Sequence, residues 1–218
     1  MKTSAASTRM GGYSLAIDTS AGTTVAVLSM GTVLAELNYL EPMTHSERIG
    51  SAIQKVLNDA GLKPNQIDTV VAGVGPGPFT GLRVGIAAAK MFAEGVSAPI
   101  YGVGSLDAIA FANSLDQPTL VLTDARRSEV FFGLYQGKTP AGVPKTLLGP
   151  GVKKQAELEV QLKAAGHSYV LANTQVSAAN LGLLSLAQLA EGTANTSVVA
   201  NYLRAPDAVP AKGKKVSG

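Results

Sequence analysis

The chain has 218 residues, of which 46% are hydrophobic, and a formal net charge of +3; this suits one compact domain or two small ones. It has no cysteine, which excludes disulfides, thiolate metal sites and cysteine nucleophiles, and its few histidines argue against a histidine-based zinc site. Much of the positive net charge comes from three lysines close to the last residue, Lys212, Lys214 and Lys215. The rest of the chain is therefore near neutral, and its composition does not favour a nucleic-acid-binding groove.

The two ends of the chain are less apolar than its middle. Residues 1–12 lack the apolar central region of a signal peptide, and we interpret them as a flexible N-terminal extension. Residues 207–218 hold three lysines in a stretch that contains glycine and serine, and they predict a disordered basic tail. No apolar run has the length of a membrane span, so we expect a cytoplasmic protein without membrane contact.

A short antiparallel meander follows the extension. Residues 13–18 predict an apolar strand that ends in an acid, residues 19–23 a turn, and residues 24–30 and 32–39 two more strands. The turn places Asp18 beside the hydroxyl-bearing Ser20, Thr23 and Thr24. Such a group can hold a phosphate or a hydrated magnesium ion, or it can form an Asx turn that satisfies its own backbone. The residue types alone favour the Asx turn.

Residues 41–61 carry the signals of an amphipathic helix. Thr44 and Glu47 form a capping-box pattern near its start, and Gly61 indicates its end. His45 has no ligating partner nearby in the sequence, so we interpret it as a solvent-facing or interface residue. The apolar face consists of Ile49, Ala52, Ile53, Val56, Leu57 and Ala60.

The most distinctive stretch runs from residue 67 to residue 94. A valine-rich segment at 67–74 predicts a buried strand, the sequence Gly-Pro-Gly-Pro at 75–78 a turn, and residues 79–94 a helix. In that helix Gly81, Gly85 and Ala89 recur at i, i+4 spacing on one face, bordered by Ala88 and Phe92.

The glycine-bearing face of this helix indicates a very close packing partner. Glycine inside a helix costs about 1 kcal/mol relative to alanine. The partner is either the chain's own sheet or a neighbouring helix, or it is a helix of another subunit. A phosphate at the helix N-terminus is least favoured, because the motif has neither a lysine nor a Walker pattern.

The second half repeats the opening theme. After a short strand at 99–103 and a helix at 105–112, residues 119–124 predict an apolar strand ending in Asp124, and 129–135 the return strand. We therefore divide the chain into two α/β subdomains, residues 13–113 and 114–206. The remaining predictions are a loop with one strand at most at 137–151, a helix at 153–165, a strand at 169–172, a helix at 178–191 and an extended segment or short helix at 198–203.

Two strand–Asp–turn–strand hairpins in tandem resemble the actin and sugar-kinase superfamily. More specifically, the chain is similar to the TsaB family over about residues 13 to 206, through Ile17-Asp18-Thr19-Ser20, the long motif from Gly75 to Gly85, Asp124 to Val130, and Tyr202-Leu203-Arg204. The resemblance implies an α/β fold of two tandem actin-like (ribonuclease-H-like) subdomains, with mixed sheets flanked by helices and a reduced second half.

The resemblance implies a role rather than a reaction. Members of this family are non-catalytic dimerisation subunits of a TsaD-type transferase, which threonylcarbamoylates the adenosine beside the tRNA anticodon. A TsaE-type ATPase joins the pair, the subunit forms a homodimer when its partner is absent, and tRNA is contacted only through the complex. We therefore expect no independent enzyme activity.

The departures from the catalytic paralogue support this expectation. The paralogue holds its metal with a His-x-x-x-His motif, whereas His45 is followed at that spacing by Ile49, which cannot ligate a metal. Arg126 and Arg127 stand where nucleotide-binding relatives have glycine, and their bulk predicts little room for a polyphosphate. We expect no cofactor, apart from weak or vestigial ATP and magnesium binding at Asp18, Ser20, Thr23 and Thr24.

The resemblance also implies that the first two helices form the partner interface. The expected interface residues are Ile49, Ala52, Ile53, Val56, Gly81, Gly85, Ala88, Ala89 and Phe92. A bulky residue at Gly85 should then abolish pairing in a chain that still folds. The main alternative is a nucleotide-binding ATPase or kinase-like enzyme of the same superfamily; direct tRNA binding is a third and less favoured hypothesis, because the body of the chain is near neutral.

Overall fold

Two β-sheets with helices on their faces make up the fold. The computed structural model describes residues 12–39, 45–172 and 175–204. The predicted N-terminal extension (apart from Gly12), the basic tail and the capping residue Thr44 lie outside the described residues. Among the described residues, no helix is both long enough and apolar enough to cross a lipid bilayer.

The elements alternate between the two sheets and their covering helices. The strands are β1 (Tyr13–Asp18), β2 (Thr23–Ser29), β3 (Thr32–Tyr39), β4 (Ile67–Gly73), β5 (Ile100–Val103), β6 (Thr119–Asp124), β7 (Glu129–Lys138), β8 (Pro144–Lys154) and β9 (Val170–Leu171). The α-helices are α1 (His45–Asp59), α2 (Phe79–Val96), α3 (Ser105–Phe111), α4 (Gln155–Ala164) and α5 (Ala178–Glu191).

The two sheets share one topology. The first has the strand order β3-β2-β1-β4-β5 and the second β8-β7-β6-β9. In each, the first three strands form an antiparallel meander, and the next strand pairs in parallel with the first strand of the meander. The expected fold class, two mixed sheets flanked by helices with a smaller second half, is confirmed.

Side-chain alternation along the strands builds the layers of the fold. Leu15 and Ile17 of β1 pack into the cluster with α1 and α2, whereas Ala16 between them faces the cluster that holds α3 and α5. The middle cluster also takes Val121 from β6, and the opposite face of the second sheet packs on Leu158 and Leu162 of α4. The helices α3 and α5 therefore lie between the two sheets, and α1 with α2 covers the far face of the first sheet.

The helix α5 joins the two halves. It follows the second sheet in the chain but contacts β1, β2 and β4 of the first sheet. A Cβ on Gly182 of α5 would lie 2.5 Å from Leu28 Cδ1, so the glycine allows the helix to approach β2 closely. The division at residue 113, based on sequence alone, stays a prediction.

The structure defines two segments that the sequence left open. The one strand allowed at 137–151 is the long edge strand β8, which continues to Lys154 and whose pairing with β7 shifts register repeatedly. Its glycines, prolines and lysines are typical of an edge strand, because an edge needs no complete ladder of backbone donors. The segment at 198–203 is neither strand nor helix, although its backbone is held by Asn201 N–H, which donates to Val74 O at 2.8 Å.

Candidate functional site

The turn after β1 is held by the carboxylate of Asp18. Its Oδ1 accepts from the Ser20 N–H at 2.7 Å and from the Ser20 hydroxyl at 2.6 Å, and its Oδ2 accepts from the Ser105 hydroxyl at 2.6 Å. The Ser105 Oγ in turn accepts from Gly75 N–H at 3.2 Å. Asp18 is only 1% exposed, so this carboxylate acts as the buried centre of an Asx turn that links β1, the Gly-Pro turn and α3.

The glycines of α2 make room for Thr19. The Thr19 hydroxyl donates to Gly81 O at 2.7 Å and accepts from Gly85 N–H at 3.0 Å. These are the two backbone groups that would bond each other in a regular α-helix, since their residues are four apart. A Cβ on Gly85 would lie 2.2 Å from Thr19 Oγ1. The close partner of the glycine face is therefore the β1–β2 turn of the same chain.

The expected partner interface stays a prediction, and the structure shows how far each of its residues is buried within the chain. Of the nine residues expected there, six are buried in the chain's own core and are not available to a partner in the folded monomer: Ile49, Ala52, Val56, Gly81, Gly85 and Ala89. The remaining three, Ile53, Ala88 and Phe92, are half-buried at the surface of α1 and α2. A bulky residue at Gly85 would collide with Thr19, so it would disturb the fold and cannot report on pairing alone.

The outer face of α1 and α2 carries further apolar and small residues. Met91 is 76% exposed, and Val84 and Ala88 lie beside it at helical spacing on α2. A Cβ added to Gly50 of α1 or to Gly95 of α2 would meet nothing within 4 Å. We call Gly50, Ile53, Val84, Ala88, Met91 and Gly95 the outer face.

A cleft of about 230 Å³ separates the two hairpins. Asp18, Thr23 and Thr24 line it on one side, and Thr123 and Asp124 on the other. The Thr24 hydroxyl already forms hydrogen bonds within the chain: it donates to Asn38 Oδ1 and accepts from Ala178 N–H. The cleft is smaller than the roughly 300–1,000 Å³ of most small-molecule pockets. Binding of ATP or magnesium at Asp18, Ser20, Thr23 and Thr24 stays a prediction.

The second hairpin repeats the geometry of the first. Arg126 N–H donates to Asp124 Oδ1 at 2.8 Å, just as Ser20 N–H donates to Asp18 Oδ1. Arg126, Arg127 and Ser128 all have left-handed backbone, with φ of 62°, 52° and 62°. Both arginines are exposed, and neither lines the cleft. The sequence predicted that these side chains would leave little room in the cleft. The structure contradicts that prediction, because both side chains lie outside the cleft.

The C-terminal segment fastens α2 to the second hairpin. The Arg83 guanidinium lies 3.7 Å from the Phe79 ring centroid, and its Nε donates to the Tyr202 hydroxyl at 3.1 Å. Two residues later, Arg204 Nη1 donates to Ala125 O at 2.7 Å. The Tyr202-Leu203-Arg204 signature thus has a structural role, and Ser105, which no sequence signal singled out, completes the Asp18 network.

Metal-binding groups do not assemble in the described part of the chain. Within residues 12–39, 45–172 and 175–204, no three of histidine, cysteine, aspartate and glutamate lie close enough to hold an ion. Ile49 lies in the core, four residues after His45, whose side chain lies outside what the structure describes.

Comparison with known proteins gives a consistent result. A family model described as "TsaD: tRNA N6-adenosine threonylcarbamoyltransferase" matches residues 42–206. An uncharacterised protein of Mycobacterium leprae is 37% identical over 90% of this chain and 56% of its own length. The Bacillus subtilis "tRNA threonylcarbamoyladenosine biosynthesis protein TsaB" is 41% identical over 57% of this chain and 55% of its own. The chain thus spans little more than half the length of these two relatives.

A solved structure extends the similarity over the whole fold. The Pseudomonas aeruginosa protein described as "an uncharacterized protein with similarity to peptidase YEAZ" superposes with a TM-score of 0.74 at 25% identity. The superposition covers 88% of this chain and all of the other. The two sheets and the helices around them therefore form the same arrangement in both proteins.

Proposed function

Because the chain belongs to the TsaB family, we propose that it is the non-catalytic dimerisation subunit of a TsaD-type transferase. The reaction of that complex would be threonylcarbamoylation of the adenosine beside the tRNA anticodon. The name of the Bacillus subtilis relative supports a place in this biosynthesis.

The observation that carries the proposal is the outer face of α1 and α2. An exposed methionine, flanked by valine, alanine and open glycine positions, offers an apolar and closely approachable surface. Small residues let a partner helix approach the backbone, which increases dispersion contacts. We propose that the equivalent helices of the TsaD-type paralogue dock here, and that a second copy of the chain does so when the paralogue is absent.

A catalytic role is not supported by the two acids that line the cleft. The Asp18 carboxylate accepts hydrogen bonds from Ser20 and Ser105 and is almost fully buried, so little of it is presented to a substrate. The exposed Asp124 accepts from Arg126 N–H and thereby holds its own turn. We propose instead that docking shifts the paralogue toward its active conformation, with no catalytic group contributed by this chain. A TsaE-type ATPase would join the pair, and tRNA would bind through the complex.

A charge placed on the outer face tests this proposal. Met91→Asp should weaken the complex with the paralogue of the same organism at least about tenfold, since a carboxylate would be desolvated in an apolar interface. Val160→Asp is the matched control, because Val160 is 69% exposed on α4, on the far side of the second sheet. Size-exclusion chromatography and calorimetry measure both. Equal binding by the two variants would overturn the proposed interface.

The alternative, a nucleotide-binding ATPase or kinase-like enzyme, rests on the cleft between the hairpins, despite its small volume. Titration of the chain with ATP and magnesium in a calorimeter decides between the two. Saturable heat at micromolar ATP, abolished by Thr23→Val, would establish the enzyme alternative.

A further inference from the structure

A second cavity, of about 220 Å³, lies outside the cleft of the two hairpins. The Gly-Pro turn after β4 and the start of α3 form its walls on one side, and α5 and the C-terminal segment form the other. Glycines keep these walls close: a Cβ on Gly102 would lie 2.9 Å from Val74 Cγ1. The cavity is thus built from segments distant in sequence, and it is separate from both the cleft and the outer face.

The carboxylate of Asp107 lines this cavity and is only partly satisfied. Its Oδ1 accepts from the Tyr135 hydroxyl at 2.7 Å. Its Oδ2 accepts no hydrogen bond from any residue that the structure describes, and it stands where a Cβ on Gly104 would be, 2.1 Å away. Glycine at 104 therefore leaves the space that the second carboxylate oxygen occupies at the cavity wall.

Three carboxamide side chains join Asp107 around the cavity. Within the described residues, the amide groups of Gln188 and Asn201 form no hydrogen bond, and Asn195 uses only its Oδ1, which accepts from Ser197 N–H at 2.9 Å. The cavity thus presents one carboxylate oxygen and several amide oxygens and N–H groups without partners. Asp107, Gln188 and Asn201 are half-buried and Asn195 is exposed, so these polar groups are open to a ligand that enters the cavity.

The charge of the lining defines the chemistry of that ligand. Among the described residues that line the cavity, Asp107 is the one charged residue, and none is a lysine or an arginine. A single carboxylate is too few anionic oxygens for a divalent cation, which takes several. An organic cation with several N–H donors matches one carboxylate and neighbouring amide oxygens, and a partly buried setting strengthens the ionic contact.

We propose that this cavity binds an alkylammonium or guanidinium group, with Asp107 as its counter-ion and Gln188, Asn195 and Asn201 as hydrogen-bonding partners. The cation comes either from a small molecule or from a lysine or arginine side chain of a partner protein. Burial raises the pKa of Asp107, against the opposing effect of the Tyr135 hydrogen bond. Binding of a cation should therefore strengthen as the pH rises and the carboxylate ionises.

Methylguanidinium chloride is the first probe, added to the ¹⁵N-labelled full chain and followed by amide chemical shifts. Saturable shifts at Gly102, Gly104, Asp107 and Asn201 are expected, with a dissociation constant on the order of 1 mM. Methylurea, which has nearly the same shape but no charge, should produce none. Asp107→Asn should weaken binding at least about tenfold, while Asp116→Asn, an exposed control, should leave it unchanged.

Two results would overturn the proposal: no saturation by methylguanidinium, or the same shifts in Asp107→Asn as in the original chain. Asp107→Asn keeps an oxygen acceptor for Tyr135; should it still fail to fold, Asn201→Leu removes one amide and fills part of the cavity. The two sources of the cation are then separated with the paralogue complex. A partner side chain predicts competition between methylguanidinium and the paralogue, whereas a free amine predicts unchanged binding of the paralogue.

Discussion

Replacing Gly85 by alanine should destabilise the fold through its contact with Thr19. The new Cβ would lie 2.2 Å from Thr19 Oγ1 and 3.1 Å from Thr19 Cβ. The side chain of Thr19 must therefore move, and both of its hydrogen bonds to α2, at 2.7 and 3.0 Å, are lost or strained.

The change in the free energy of unfolding combines two destabilising contributions and one stabilising contribution. Two buried hydrogen bonds contribute about 1 kcal/mol each, and overpacking of a close contact costs about 2 kcal/mol. Alanine in place of glycine in a helix returns about 1 kcal/mol. The net loss in the free energy of unfolding is about 3 kcal/mol, which lowers Tm by about 6–12 °C for a chain of this length.

Urea denaturation followed by circular dichroism measures this loss, with Gly50→Ala as the matched control. A Cβ at Gly50 meets nothing within 4 Å, so that variant should gain about 0.5–1 kcal/mol. The double variant Thr19→Ala/Gly85→Ala should recover at least about 1 kcal/mol relative to the sum of the single changes, because the hydroxyl that clashes is gone. Equal stability of Gly85→Ala and Gly50→Ala would show that Thr19 does not restrict the side chain at position 85.

Three further predictions concern the turns and the second cavity. Ser105→Ala should cost about 2–3 kcal/mol in urea denaturation, because it leaves Asp18 Oδ2 and Gly75 N–H without their common partner. Ser128→Gly should raise the stability by about 1 kcal/mol, since φ at this position is 62° and Ser128 is exposed; a Tm no higher than that of the original chain would contradict this. Asp107 has a pKa raised by burial, so its stabilising contribution is complete below the unfolded-state pKa of about 3.9 and is lost as the pH rises through the folded-state pKa. Between acidic and neutral pH, the Tm of the Asp107→Asn variant should therefore fall less than the Tm of the original chain. Parallel curves of Tm against pH for the two proteins would show that the pKa of Asp107 is not raised by folding.

Local sequence patterns were sufficient for most of the fold. The strands at Tyr13–Asp18 and Thr119–Asp124 and the helix at Ala178–Glu191 were predicted with their observed bounds, because buried apolar runs and helical periodicity are local signals. The strand β8 was left open, as at most one strand within a loop, for the converse reason. Its glycines and prolines are tolerated at a sheet edge, and pairing with β7 rather than its own composition makes it a strand.

The site was harder to predict because its contacts join residues far apart in sequence. The spacing of Gly81 and Gly85 correctly indicated a close packing partner, but the sequence does not show whether that partner is Thr19 or another subunit. Ser105 donates a hydrogen bond to Asp18, which lies 87 positions earlier in the chain. No sequence pattern around Ser105 predicts this contact. Fold class therefore follows from local periodicity, whereas the division between core and interface residues requires the three-dimensional arrangement.

We propose that this chain activates a transferase through the outer face of α1 and α2 without contributing catalytic groups. The most direct measurement is threonylcarbamoyl transfer to tRNA by the host's TsaD-type paralogue, assayed alone, with this chain, and with its Met91→Asp and Val160→Asp variants. We expect activity with the original chain and with Val160→Asp, and little activity with Met91→Asp or with the paralogue alone. Full activity of the paralogue alone, or full activation by Met91→Asp, would contradict it.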